Sequence, residues 1–190
     1  MNREQAWDIL TEFVQSESLR KHCLAVEAAM RAYSRRYGED EEKWSVVGLL
    51  HDFDFEIHPT ADKHPAAGAP LLRERGVPED VVYAIQTHAE YLNLPRNTRL
   101  EKTLHAVDEL AGFLVAVALV RPGRTLEGIE ASSIKKKMKD KAFARAVSRE
   151  DIVQGAQELG EPFDEHVVFV ARALQAASEL GLGTAESASA

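Results

Sequence analysis

The chain has 190 residues, 45% of them hydrophobic and 28% charged. That length and balance suit one globular domain with a sizeable core and exclude a disordered chain. The formal net charge is −8. The average field therefore repels nucleic acid, and a phosphate-bearing ligand needs a local cationic patch or a metal. A single cysteine, Cys23, excludes an internal disulfide framework and suits a reducing compartment. Residues Met1 to Gln5 carry no apolar signal-peptide core. The most apolar run, Leu110 to Val120, is shorter than the about 20 residues a bilayer span needs. A cytoplasmic location without a membrane partner is expected.

Helical periodicity runs through the chain. Ala6, Ile9, Leu10, Phe13 and Val14 define a first amphipathic helix. Ser18 reads as the N-cap of a second, with Leu19, Cys23, Val26, Met30 and Tyr33 facing inward and Gly38 ending it. A third runs from Glu41 to Leu50, followed by a loop from His51 to Thr60. A fourth is expected over 61–75, stopping at Gly76. Pro78 fits position N1 of a fifth helix that carries Val81, Val82, Ile85 and His88. A long apolar helix from Thr98 to Val120 is closed by Pro122-Gly123. Shorter helices are expected over 132–137 and 139–147. Ser148 caps Arg149 to Leu159, and Pro162 opens a last helix to Leu180. The small, polar tail, 181–190, is expected to be disordered. With no alternating β pattern of useful length, the class is all-α, a single-domain helical bundle over 1–180.

Several ionisable residues fall on the inward stripes. His22 sits between Leu19 and Val26, Asp108 between Leu104 and Ala111, and His88 follows Val81 and Ile85 on one face. His51-Asp52 ends the apolar helix containing Val46 to Leu50, and at a helix end adjacent side chains can turn to one point. Taken singly, an inward histidine is more often a hydrogen-bonded core residue, and a buried aspartate a cap or an Arg partner. Together they give three imidazoles and two carboxylates on one core without a thiolate, a donor set for a hard-to-borderline divalent metal.

The pattern resembles the HD superfamily of metal-dependent phosphohydrolases. The match reads Lys21-His22-Cys23, then Leu49-Leu50-His51-Asp52-Phe53-Asp54, then Ala106-Val107-Asp108-Glu109-Leu110, and spans residues 18 to 120. Lys63-His64-Pro65-Ala66-Ala67-Gly68 and Thr87-His88-Ala89-Glu90 resemble two further histidine segments of the family. The resemblance implies His22, His51, Asp52 and Asp108 around a first metal, and Asp52, His64 and His88 around a second. It thus implies one or two divalent ions (Mn, Fe, Co, Ni, Zn or Mg) and a metal-activated hydroxide that attacks a phosphate ester, as a phosphomonoesterase or phosphodiesterase. Asp52 would be central to catalysis, with Glu56 and then Asp54 as the acidic group that handles the proton.

The basic run Lys135 to Lys141 reads first as a solvated helix face. Lys136 and Lys137 are its candidates for gripping substrate phosphate, with Arg20 and Lys21 as alternatives beside His22. The expected partner is a small phosphorylated metabolite or nucleotide, not nucleic acid. Two other readings stay open: a di-iron oxygenase of the HD type that uses O₂, and a non-catalytic, metal-stabilised binding module.

Overall fold

A computed structural model describes residues 1–60 and 62–184. Nine α-helices are formed among the described residues: α1 Arg3–Phe13, α2 Glu17–Tyr37, α3 Glu41–Leu50, α4 Ala69–Glu74, α5 Glu79–Gln86, α6 Arg99–Val120, α7 Ala131–Met138, α8 Arg149–Leu159 and α9 Phe163–Ala176. No strand occurs among them, so the all-α expectation holds.

Local chemistry sets the boundaries. Asn2 and Gln5 form a capping box on α1, and Thr98 and Glu101 form one on α6. Ser148 caps α8, Asp40 caps α3, and Gly38 and Gly160 end α2 and α8 in the left-handed conformation. The N-cap of α2 is Ser16, whose hydroxyl accepts from Leu19 N–H, and not Ser18. Both serines satisfy the sequence signal, but Ser16 places Glu17 in the first turn, where its charge favours the helix dipole.

Four other expected elements differ. The helix read over 61–75 is only α4; residues 62–68 are turns, and Ala61 lies outside the described residues. Pro65 lacks an N–H and biases His64 away from helical backbone. Pro78 is the N-cap of α5 rather than its first residue, and the helix ends at Gln86, so His88 sits in the turn beyond it. No helix forms over 139–147. The Arg149 guanidinium donates to the carbonyls of Phe143, Ala144 and Val147, satisfying groups a helix would have used. The last helix stops at Ala176, and a short 3₁₀ turn covers Ser178–Leu180. Of the tail expected to be disordered, 181–184 is tied down: Gly183 N–H donates to Arg124 O, and its carbonyl accepts from Gln175. Residues 185–190 lie outside the described residues.

The buried apolar side chains join into one connected core. Helix α2 packs against α3 and α6, and α6 packs in turn against α8 and α9. By length and composition α6 could cross a bilayer, but 61% of its most apolar window is buried inside the bundle, as a core helix requires. Two crossings are close because of glycine. A Cβ on Gly48 of α3 would lie 2.7 Å from Glu27 Cα on α2, and one on Gly155 of α8 would lie 2.5 Å from Ala106 Cα on α6. The first crossing sets the end of α3 against α2, which carries His22, and α2 also packs against α6.

Candidate metal centre

Six side chains expected to bind metal meet at one point. His22 projects from α2, His51 and Asp52 from the end of α3, His64 from the turns before α4, His88 from the turn after α5, and Asp108 from α6. They form two clusters, His22–His51–Asp108 and Asp52–His64–His88. In the first, His22 Nε2 lies 3.1 Å from His51 Nε2 and 3.0 Å from Asp108 Oδ1, and His51 Nε2 lies 3.4 Å from Asp108 Oδ1. Asp52 Oδ2 stands 3.5 Å from both His22 Nε2 and His51 Nε2. In the second cluster His64 Nε2 lies 2.9 Å from Asp52 Oδ1 and 3.1 Å from His88 Nε2. Asp52 therefore turns one oxygen to each cluster.

The tautomers test whether a cation fits. His51 Nδ1–H donates to Gly48 O at 2.8 Å, and His88 Nδ1–H donates to Ile85 O at 2.6 Å, because a carbonyl can only accept. His64 Nδ1 pairs with Asp54 Oδ1 at 2.5 Å. In the neutral ring each of these histidines then points a bare Nε2 lone pair at its neighbours. Lone pairs about 3 Å apart repel unless a cation lies between them. Ligands about 2.1 Å from a common ion stand about 3.0 Å apart in an octahedron and about 3.4 Å apart in a tetrahedron. The spacings of 2.9 to 3.5 Å lie close to those edges, with His88 Nε2 farther out at 3.7 Å from Asp52 Oδ1, so the donor set fits divalent metal.

The electrostatics agree. Burial works against the charge on Asp52 and Asp108, yet His51 and the other rings hold both carboxyls well below the usual range. Burial also opposes charge on His51 and His64, but the facing carboxylates outweigh it and lift each to about 9. His88 is pushed down to about 4, chiefly by burial. The site thus keeps its carboxylates ionised and draws positive charge towards itself.

The remaining candidate residues separate. Asp54 does not face the ligand cluster. It is buried behind His64, orients that ring through Nδ1, and presses on Gly68, where a Cβ would sit 2.4 Å from Asp54 Oδ2. This explains the glycine of the His64-Pro65-x-x-Gly68 segment: any side chain would displace the carboxylate. Glu56 is taken elsewhere; its exposed carboxylate accepts from the backbone N–H groups of Gln15 and Ser16, tying the loop to the α1–α2 junction. Lys136 is exposed on α7, and Lys137 is spent on Asp140 and the Phe143 ring. Neither lines the cavity that opens beside His22. Arg20 donates to the carbonyls of Val14 and Thr11, whereas Lys21 does line that cavity. Sequence reasoning passed over Glu109. Half-buried next to Asp108, it accepts from Ser148 N–H, and burial with the Asp108 charge raises its carboxyl to about 7. Its only sequence signal was adjacency to Asp108. His166 is a core residue held between Tyr33 and Ala106 O.

The HD domain family matches residues 19–112, a stretch that contains all six clustered side chains. This chain is an HD-domain protein. HD domains belong to a superfamily made up mostly of metal-dependent hydrolases that bind divalent metals. Similar curated proteins are named Ribonuclease Y. The one from Oleidesulfovibrio alaskensis is 28% identical over 116 residues, 60% of this chain and 21% of the relative. The one from Desulfotalea psychrophila is 27% identical over 157 residues, 76% of this chain and 28% of the relative. This HD-domain chain thus spans between a fifth and three tenths of their length. No solved structure gives a significant match.

Proposed function

We propose that this chain is a two-metal phosphohydrolase acting on a phosphate ester of a small metabolite or nucleotide. The observation that carries the reading is Asp52, one oxygen on each of two histidine clusters. A carboxylate in that position would be shared between two ions. His22, His51, Asp52 and Asp108 would hold one ion, and Asp52, His64 and His88 the other. What two such cations supply is Lewis acidity towards phosphoryl oxygens and a lowered pKa for water. The chain's part is to pre-orient the donors. The Gly48 and Ile85 carbonyls and Asp54 fix the rings of His51, His88 and His64, so no reorganisation is needed when a substrate arrives. The name of the relatives supports a phosphodiester as one candidate substrate class. The net charge of −8 and the absence of an aromatic residue from the run Lys135 to Lys141 favour a small ester over a polynucleotide.

The test is a metal assay followed by an ester screen. Full chain reconstituted with Mn²⁺ is expected to hold two equivalents and to hydrolyse p-nitrophenyl phosphate, its bis-ester or a nucleotide. Asp52→Ala is expected to lose metal and turnover together. Absence of hydrolysis with Mn²⁺, Co²⁺, Ni²⁺, Zn²⁺, Mg²⁺ and Fe²⁺ alike would refute the reading, and O₂ uptake with a mixed-valence di-iron signal would replace it with oxidation.

A further inference from the structure

A cavity of about 680 Å³ opens beside His22. It is framed by the first turns of α2, the second half of α6, Arg124 and residues 180–182. Gly112 lines it next to His22. A Cβ there would stand 3.5 Å from His22 Nδ1, so the missing side chain leaves the His22 ring facing the cavity. One wall is aliphatic, made by Val115, Ala116, Leu119, Leu180 and Leu182. Leu119 on this wall is 56% exposed. Lys21 and Arg124 also line the cavity, and neither forms an ion pair among the described residues. Among the described residues Glu17 is the one carboxylate that lines it.

We propose that this cavity receives the leaving group of the substrate, and that this group is an aliphatic chain. The inference rests on the reading above, in which His22 holds a metal against which the phosphate sits. From that phosphate a leaving group can run past Gly112 onto the aliphatic wall. Lys21 and Arg124 stand where anionic oxygens at the rim need cations in a protein whose overall charge is negative. A nucleobase would find little here. Among the described residues no aromatic ring other than His22 lines the cavity, and no lining amide side chain is available to read a base edge. An alkyl chain needs neither, because burial alone stabilises it.

The experiment measures binding, not turnover. Mn²⁺-loaded full chain is titrated calorimetrically with methyl-, butyl- and octylphosphonate and with AMP. Affinity is expected to rise about fourfold per methylene while the chain still enters the cavity, and octylphosphonate is expected to bind more tightly than AMP. Leu119→Glu, a change at an exposed position that the fold tolerates, is expected to bring the octyl-to-methyl ratio close to one. Val153→Glu, at an exposed position on α8 that does not line the cavity, keeps the wild-type ratio. A ratio near one in the wild type, tighter AMP binding, or a Leu119→Glu variant with the wild-type ratio overturns the inference, while methylphosphonate binding or ester hydrolysis leaves the phosphohydrolase reading standing. Failure to bind any phosphonate or hydrolyse any ester overturns both.

Discussion

Asp54 illustrates how one residue can serve a site without facing it. Its carboxylate holds His64 through Nδ1, while its other oxygen is buried without a hydrogen-bond partner among the described residues. Asp54→Ala should therefore weaken the second ion by about 10–100-fold and leave the first in place. Metal titration followed by elemental analysis reads this as a fall from two equivalents to one at limiting metal; loss of both ions would place Asp54 in the common scaffold. Away from the site, Tyr33 O–H donates to His166 Nδ1 at 2.6 Å in the core, and His166 Nε2–H donates to Ala106 O. Removing the hydroxyl strands a buried acceptor. Tyr33→Phe is expected to cost about 1–3 kcal/mol, measured as a lower denaturation midpoint with metal content unchanged.

At the scale of elements, the ligand geometry depends on close helix crossings. His51 and Asp52 follow α3 directly, and α3 lies against α2 because Gly48 has no side chain. Gly48→Ala would favour helix in an isolated peptide. Here its methyl meets backbone, which cannot rotate away, so α3 must shift from α2 and carry His51 away from His22. The expected result is about 1–3 kcal/mol of destabilisation together with weaker binding at the first cluster. Thermal melts and metal titration test the pair of effects; a variant as stable as the parent and with parental affinity would show that the crossing has slack.

At the scale of the molecule, the six side chains come from five segments, spread from α2 to α6. Ions held there would cross-link these five segments. Since binding to the folded state alone adds about 2.7 kcal/mol at a ligand concentration 100 times the dissociation constant, chelation should lower the melting temperature and Mn²⁺ should restore it. An unchanged melt after complete metal removal would show that the core stands without the ions. Much of this plan was legible from periodicity: α1, α3, α6 and α8 lie close to where the apolar spacing and the caps put them. The region between Asp52 and α5 was less legible. There Pro65 breaks the helical reading, and the partners that hold the turns are distant in sequence.

Residue order by itself determined the helical class and the inward placement of His22 and Asp108, because side-chain periodicity is a local property of the backbone; it marked His51, Asp52 and His88 as candidates, but His88 reaches the site from the turn after α5 and not from the helix face the spacing gave it. It also singled out His64, through the resemblance its segment carries. What only the tertiary structure decided is the division of labour among the acids and the cations. Asp54, Glu56, Glu109, Lys21 and Lys136 all lie close in sequence to plausible roles. Which of them faces the metal cluster, a backbone amide, the cavity or solvent follows from helix crossings and turns that bring together residues far apart in the chain, and no local pattern encodes those directions.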